Sequence, residues 1–232
     1  MKKSITGKVL CVLAVLFGTL HSEQLYVYYP SPIRSSVVAQ LVEDKVDGVD
    51  ITVFGVYRDF VMQVRADEPE TILGPAETVA ALSGGEYRSV LEASKNGSTD
   101  VEYVLLSIGE AVNPEELDPS ATIGVVDIMD RNEMTAFVER FVGTSVRVNH
   151  VTKVEDLLPL LTFRMAQAVL VPEARVAYFK GVSNQDFKVT PLGTKGEIAR
   201  VATRGAGEQS IVAANIISEN LPDYILGGVE WK

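Results

Sequence analysis

The sequence predicts an α/β protein of two lobes, in which mostly parallel sheets carry helices on both faces and the chain crosses between the lobes twice. Three observations favour this class. Short β-branched and aromatic runs alternate with stretches of helical period, which is typical of parallel sheets. The alternation stops at an aperiodic, acidic, proline-containing stretch over 109–120 and then restarts. A second connector over 181–188 leads back to strands and a last helix.

In the first half, strands are predicted over 25–29, 50–56, 71–73 and 101–108. Ser31 is expected to cap a helix that begins at Pro32, because proline lacks only a backbone donor that is unpaired there anyway. A second helix is expected from Ala76. A third is expected over 86–95, with a stop at Asn96-Gly97.

In the second half, Asp130 and Glu133 form the sequence pattern of a capping box. The apolar positions behind it follow the helical template closely, at Met134, Phe137, Val138, Phe141 and Val142. Further strands are predicted over 121–128, 146–148, 168–171, 189–192 and 198–203, with a helix through 157–161 and a last helix over 209–221.

The N-terminus has the order of a secretory signal peptide. Lys2, Lys3 and Lys8 precede an apolar stretch over 9–20 that contains no acidic residue. This stretch is too short to span a bilayer, which needs roughly twenty apolar residues. We therefore expect residues 1–22 to be removed near Ser22, and the mature chain to be exported without membrane insertion.

Composition excludes several partners and chemistries. The net charge of the 232 residues is −10, and cleavage after Ser22 removes three of the 21 basic residues and none of the 31 acidic ones, which leaves about −13. Such a balance disfavours nucleic acid and anionic membranes. The only cysteine, Cys11, lies in the predicted signal peptide, so the mature chain is expected to have no disulfide and no thiolate metal site. We predict no cofactor and no metal.

Catalysis is not expected. His150 is the only histidine after cleavage, and no G-x-S-x-G elbow accompanies it. Asp130 and its acidic neighbours lack the order and the glycine of a calcium loop, and helix capping explains them more simply.

A strand followed by Ser, Thr, Pro or Gly and then a helix occurs at 30–36, 74–78 and 127–131. The carboxyl ends of strands in open α/β sheets form the crevice that receives ligands, and helix N-termini there favour anions. Candidate hydroxyl donors are Ser31, Ser35 and Thr78, with Arg34 and Arg58 as charge partners. Each of these residues, taken singly, is better explained as a helix cap, and only the three helix starts together favour a binding site.

Six segments occur in an order that resembles a known family: LYVYYPSPIRSS, ILGPAETVAAL, ATIGVVDIMD, TKVEDLLPLL, AVLVPEARVAYF and VTPLG. The chain resembles type 2 periplasmic solute-binding proteins, the binding components of ABC transporters, and among them the phosphate- and phosphonate-binding branch. The resemblance implies a periplasmic protein. It would have lobe 1 over 23–108 and 198–232, lobe 2 over 121–188, and hinge connectors over 109–120 and 189–197.

The resemblance also implies a ligand in the cleft between the lobes. Helix starts at Ser31 and Pro75 would face the ligand from lobe 1, and those near Asp130 and Glu173 from lobe 2. Tyr29, Tyr57 and Arg131 complete the predicted site. The implied function is the binding of a small polar or anionic solute by a monomer that delivers it to an inner-membrane transporter. The alternative is a ligand-free periplasmic interaction or sensor protein that reuses the fold.

Overall fold

The computed structural model describes residues 22–43, 45–83, 86–205 and 207–232. The predicted signal peptide, apart from Ser22, and Cys11 within it lie outside the described residues. None of the helices in these ranges is long and apolar enough to cross a membrane.

The strands in chain order are β1 (Glu23–Tyr28), β2 (Val49–Phe54), β3 (Thr71–Pro75), β4 (Arg88–Ser94), β5 (Asp100–Ile108), β6 (Thr122–Val126), β7 (Arg147–Val151), β8 (Ala168–Pro172), β9 (Phe187–Glu197), β10 (Ala199–Thr203) and β11 (Glu230–Trp231). The helices are α1 (Ser35–Glu43), α2 (Tyr57–Asp67), α3 (Ala76–Leu82), α4 (Arg131–Val142), α5 (Leu157–Thr162), α6 (Val176–Val182) and α7 (Glu208–Asn220). Short 3₁₀ turns lie at Pro114–Glu116, Val154–Asp156 and Glu173–Arg175.

Two sheets define two lobes and confirm the predicted α/β class. The first sheet has the order β11-β4-β10-β3-β1-β2, and the second has the order β7-β6-β8-β5-β9. In each lobe three neighbouring strands are parallel, namely β2, β1 and β3 in one and β7, β6 and β8 in the other. The remaining pairings are antiparallel, so the sheets are mixed where mostly parallel sheets were expected. The antiparallel pairings involve β4, β5, β9 and β10, which adjoin the crossings between lobes, and the short edge strand β11.

The crossings differ from the predicted connectors. The first is the turn between β4 and β5, where Asn96 and Gly97 both have positive φ, 53° and 81°, as a two-residue hairpin turn requires. The second is Ile198, between β9 and β10. β5 therefore belongs to the second lobe, and residues 109–120 connect β5 to β6 within that lobe. The predicted connector 189–197 is part of β9, which pairs with β5 along most of its length.

Two local predictions in the first lobe need correction. The segment 86–95, expected to be a helix, contains strand β4, because pairing with β10 and β11 outweighs its weak helical period. Helix α2 was not predicted, although its buried residues have helical spacing, at Tyr57, Phe60, Val61 and Val64.

One apolar cluster runs through both lobes. It joins Tyr28 and Phe60 of the first lobe to Tyr103, Phe137 and Phe141 of the second. The ring centres of Tyr28 and Phe60 lie 5.5 Å apart, and those of Tyr103 and Phe141 lie 4.7 Å apart. The outer face of each sheet has its own separate cluster. The two lobes are thus packed directly against each other.

Candidate functional site

The loops that follow β1, β3, β6 and β8 meet between the lobes. Three side chains bridge the lobes there, and each donates a hydrogen bond to a backbone carbonyl of the opposite lobe. The Tyr28 hydroxyl bonds the oxygen of Asp127 at 2.7 Å, and the Thr78 hydroxyl bonds the oxygen of Ile128 at 2.5 Å. Arg175 Nη2 bonds the oxygen of Pro30 at 2.5 Å. These direct bonds hold the cleft closed.

A central cavity of about 40 Å³ remains inside the closed cleft, with room for only a few water molecules. It lies against both lobes and the second crossing, and most of its lining is apolar. The residues that line it are Tyr29, Pro30, Pro75, Val101, Tyr103, Val125, Val126, Ile128, Met134, Phe137, Leu157, Leu170, Val171, Pro172, Arg175 and Ile198. A solute of several heavy atoms can enter only if the lobes separate.

Arg175 is the one charged residue in that lining. The 3₁₀ turn that follows Pro172 directs it into the cleft, and only 3% of its surface is exposed. Its bond to Pro30 is the single hydrogen bond found for the side chain, and its Nε has no partner among the described residues. The guanidinium carbon lies 5.9 Å from the ring centre of Tyr29. Burial lowers the pKa of Arg175, but an arginine remains protonated in proteins. A positive charge is therefore buried here, and no described residue forms an ion pair with it.

Two tyrosines share this environment. Burial raises the pKa of Tyr29 and of Tyr103, the latter well above its ordinary value. The positive charge of Arg175 opposes these shifts, whereas the negative charge of Glu77 adds to them. Both hydroxyls therefore stay protonated at neutral pH, and each can donate a hydrogen bond.

Glu77 approaches the same region from the first turn of α3. Burial raises the pKa of its carboxyl group, and its Oε2 is buried without a hydrogen-bond partner among the described residues. Hydrogen bonds from the backbone N–H groups of Glu77 and Glu197 act in the opposite direction.

The predicted residues of lobe 1 fall into three groups. Tyr29 and Pro75 line the central cavity, and Thr78 forms one of the interlobe bonds. Ser31 and Ser35 line a separate cavity of about 20 Å³, within lobe 1.

The third group lies away from the cavity. Arg34 and Arg58 are exposed, and neither lines a described cavity. Tyr57 is buried, with its ring centre 6.0 Å from that of Tyr28. Burial raises its pKa to about 12.

The predicted cap at Ser31 needs correction. Helix α1 begins at Ser35, and the Ser31 Oγ accepts a bond from the backbone N–H of Ile33 at 2.9 Å. Ser31 therefore closes a turn that precedes the helix, and the start of α1 does not face the central cavity.

The predicted residues of lobe 2 lie outside the central cavity. Asp130 and Arg131 are exposed at the start of α4, and Asp130 makes no side-chain capping bond, so the capping box is not formed. Glu173 is also exposed and lines another pocket between the lobes, of about 240 Å³. The three helix starts predicted from the sequence therefore do not converge on one ligand.

His150 contacts an acidic residue beside the cleft. Its Nδ1 lies 2.6 Å from Asp127 Oδ1, the only hydrogen-bond contact found for its side chain in the described part of the chain. A catalytic triad would need a nucleophile on the other ring nitrogen. The described ranges also contain no group of three or more His, Cys, Asp or Glu side chains that could hold a metal ion.

Sequence reasoning missed Arg175, Tyr103 and Glu77. Arg175 and Glu77 lie in the segments PEARVAYF and GPAETVAAL, directly after β8 and β3, which is where ligand residues are expected in such sheets. The available signal was a charged residue within one turn after a buried strand. The sequence prediction names Glu173 in this turn and omits Arg175.

No protein-family model and no curated protein sequence matches the chain. Several solved structures are similar to the chain. The substrate-binding protein of an amino acid ABC transporter has a TM-score of 0.57 at 15% identity, over 85% of this chain and 92% of that one. The periplasmic VFT2 domain of BvgS from Bordetella pertussis has a TM-score of 0.55 at 14% identity, over 88% and 89%. The alkanesulfonate-binding protein SsuA from Xanthomonas axonopodis pv. citri, bound to MOPS, has a TM-score of 0.57 at 12% identity, over 84% and 72%.

The chain therefore has the two-lobe fold of periplasmic solute-binding proteins, as the resemblance implied. The finer resemblance to the phosphate- and phosphonate-binding branch is not supported, since none of these three structures is named for either ligand.

Proposed function

We propose that this chain is an exported solute-binding protein that holds a small anion with an apolar part, such as a short-chain carboxylate or sulfonate, between its lobes. The observation that carries the proposal is Arg175, a buried guanidinium with one hydrogen bond and no ion pair in the described part of the chain. A buried charge without a partner costs several kcal/mol, which an anionic ligand would offset. Delivery of the solute to an ABC transporter in the inner membrane, by a monomer in the periplasm, is part of the proposal.

The lining of the cavity supports this solute class. One guanidinium and the hydroxyls of Tyr29 and Tyr103 suit a single anionic group, because Arg presents paired donors that match a carboxylate or sulfonate. Val125, Ile128 and other apolar side chains suit a hydrocarbon tail. A phosphate dianion would need more donors, and the helix starts that were expected to supply them do not converge here.

Binding requires a hinge motion. The three interlobe hydrogen bonds must break and the solute must replace them, so the observed conformation corresponds to a closed state. The proposal assigns a binding role and no catalytic one.

The second candidate is a ligand-free interaction or sensor protein. It is favoured by the small cavity volume and by the continuous apolar cluster, because the two lobes already bury each other's apolar surface without a ligand.

Thermal unfolding with a panel of anions separates the two candidates. Acetate, propionate, methanesulfonate, ethanesulfonate and phosphate would be tested, with propionamide as the uncharged control. We expect a carboxylate or sulfonate to raise the melting temperature. Arg175→Met should weaken the Kd of that anion about tenfold to a hundredfold, which is the effect of losing one charge-assisted hydrogen bond.

Arg34→Met is the matched control, because Arg34 is exposed and lines no described cavity. It should bind like the wild type. The absence of a shift with every anion would favour the ligand-free candidate, and an unchanged Kd in Arg175→Met would remove Arg175 from the site.

A further inference from the structure

A further pocket lies between the lobes, beside the crossing strands and distinct from the pocket that Glu173 lines. We call it the hinge pocket and define it by the residues that line it, which are Ala76, Glu77, Ala80, Asp100, Arg140, Lys195, Gly196, Glu197 and Arg200. Its volume of about 330 Å³ lies in the range of small-molecule sites. It shares no lining residue with the central cavity.

Most charges of the hinge pocket are already paired. Lys195 Nζ lies 3.3 Å from Asp100 Oδ2, and Arg200 forms ion pairs with Glu197 and Glu92. Glu77 and Arg140 are different, since neither forms an ion pair within the described ranges. Both line the pocket, Glu77 from the first lobe and Arg140 from the second.

Glu77 offers a buried acceptor. Its Oε2 has no hydrogen-bond partner among the described residues, although its carboxyl group has bonds from backbone N–H groups. Gly196 lies close to this carboxyl group, since a Cβ at that position would lie 3.0 Å from Glu77 Oε1. An ammonium group is the natural partner for such an oxygen, because it carries charge and three donors.

Arg140 offers a fixed cation. Its guanidinium carbon lies 5.1 Å from the ring centre of Phe137 and 5.2 Å from that of Phe141. These contacts hold the exposed side chain over the aromatic pair. Its positive charge lowers the pKa of Glu77, so the two groups interact electrostatically without forming an ion pair. The buried Nε of Arg200, which also has no partner among the described residues, lies in the same wall.

We infer that the hinge pocket binds a small zwitterion, with its ammonium group on Glu77 and its carboxylate on Arg140. The ligand would connect the two lobes beside the hinge and favour the closed arrangement, because its charges are held from opposite lobes. This site is separate from the cleft around Arg175, and either one can exist without the other.

The test is an NMR titration of the full mature chain with glycine, β-alanine and γ-aminobutyrate, three zwitterions with increasing separation of the charges. Butyrate and butylamine serve as probes that carry one charge each. We expect at least one zwitterion to shift the amide resonances of Gly196 and Glu197 more than those of Tyr29 and Arg175. Each single-charge probe should bind at least about tenfold more weakly, since it makes only one of the two charged contacts.

Two variants and one control make the assignment specific. Glu77→Gln and Arg140→Gln should each weaken the Kd of the zwitterion about tenfold or more. Arg131→Gln changes another exposed arginine of α4, outside the pocket, and should bind like the wild type. Arg140 is exposed, so Arg140→Gln can be tested even if Glu77→Gln does not fold.

Three results would overturn the inference. These are no shift at Gly196 and Glu197 with any of the zwitterions, an unchanged Kd in both variants, or equal binding of butyrate or butylamine. Shifts confined to Tyr29 and Arg175 would likewise exclude the hinge pocket while leaving the central cavity as a binding site.

Discussion

The central cavity and the hinge pocket lie between the same two lobes, but they differ in whether their charged side chains form ion pairs. The central cavity is small and mostly apolar, and its one charged residue, Arg175, is buried with no ion pair to any described residue. The hinge pocket is larger and open, and Lys195 and Arg200 in its wall are paired with carboxylates. Exposed ion pairs contribute little to stability, whereas a buried unpaired charge is costly. An anion bound beside Arg175 would therefore offset a larger energetic cost than one bound in the hinge pocket.

The largest effect should come from the bonds that close the central cavity. Thr78→Val keeps the shape of the side chain but leaves the buried carbonyl of Ile128 without its donor. We expect it to lower the free energy of unfolding by about 1–3 kcal/mol and to favour an open arrangement with a larger radius of gyration. Chemical denaturation and small-angle scattering measure the two effects.

Thr135→Val is the matched control for that substitution. The Thr135 hydroxyl bonds the oxygen of Arg131 within α4, on the surface and away from the cleft. It should change the free energy of unfolding by less than about 0.5 kcal/mol and leave the radius of gyration unchanged. Equal effects of the two substitutions would mean that the Thr78 bond does not hold the lobes together.

A smaller effect is expected from Glu77, which lines the hinge pocket. Burial raises the pKa of its carboxyl group. Between the unfolded and the folded pKa, the folded state therefore keeps a proton that the unfolded state has already released. The wild type should then lose stability as the pH rises from the ordinary value of a glutamate, about 4.3, through the raised value. Glu77→Gln has no such titration.

Unfolding free energies of the wild type and Glu77→Gln, measured across this pH range, test the shift. The advantage of the variant over the wild type should increase with pH and become constant above the raised pKa. An advantage that decreased with pH would show that the pKa of Glu77 is lowered and that its carboxylate is stabilised in the fold.

The sequence predicted the local elements that have strong periodicity. Helix α4 lies where its apolar positions indicated, and Met134, Phe137, Val138, Phe141 and Val142 are all buried. It did not predict β4, because Asn96-Gly97 was read as a helix stop although the same dipeptide is a strong hairpin signal. For this reason the predicted first crossing between lobes lies at 109–120, whereas the structure has it at 95–99.

The candidate site was less predictable for a physical reason. Local patterns identify residues near strand ends, but Arg175 and Pro30 are 145 positions apart, and only the packing of the lobes joins them. Tyr29, Pro75 and Thr78 lie at or shortly after the ends of β1 and β3, which is why local patterns place them between the lobes. Arg34 and Arg58 were chosen for their charge alone, and both lie on the surface.

A crystal structure of the mature protein, grown with the anion that gives the largest thermal shift, tests the central claim most directly. The proposed function predicts the anionic group between the lobes, within hydrogen-bond distance of Arg175 Nε and the hydroxyl of Tyr29 or Tyr103, in a cavity enlarged by rotation of the lobes. An anion bound elsewhere, with Arg175 still bonded to Pro30 and its Nε unpaired in an unchanged cavity, would contradict it.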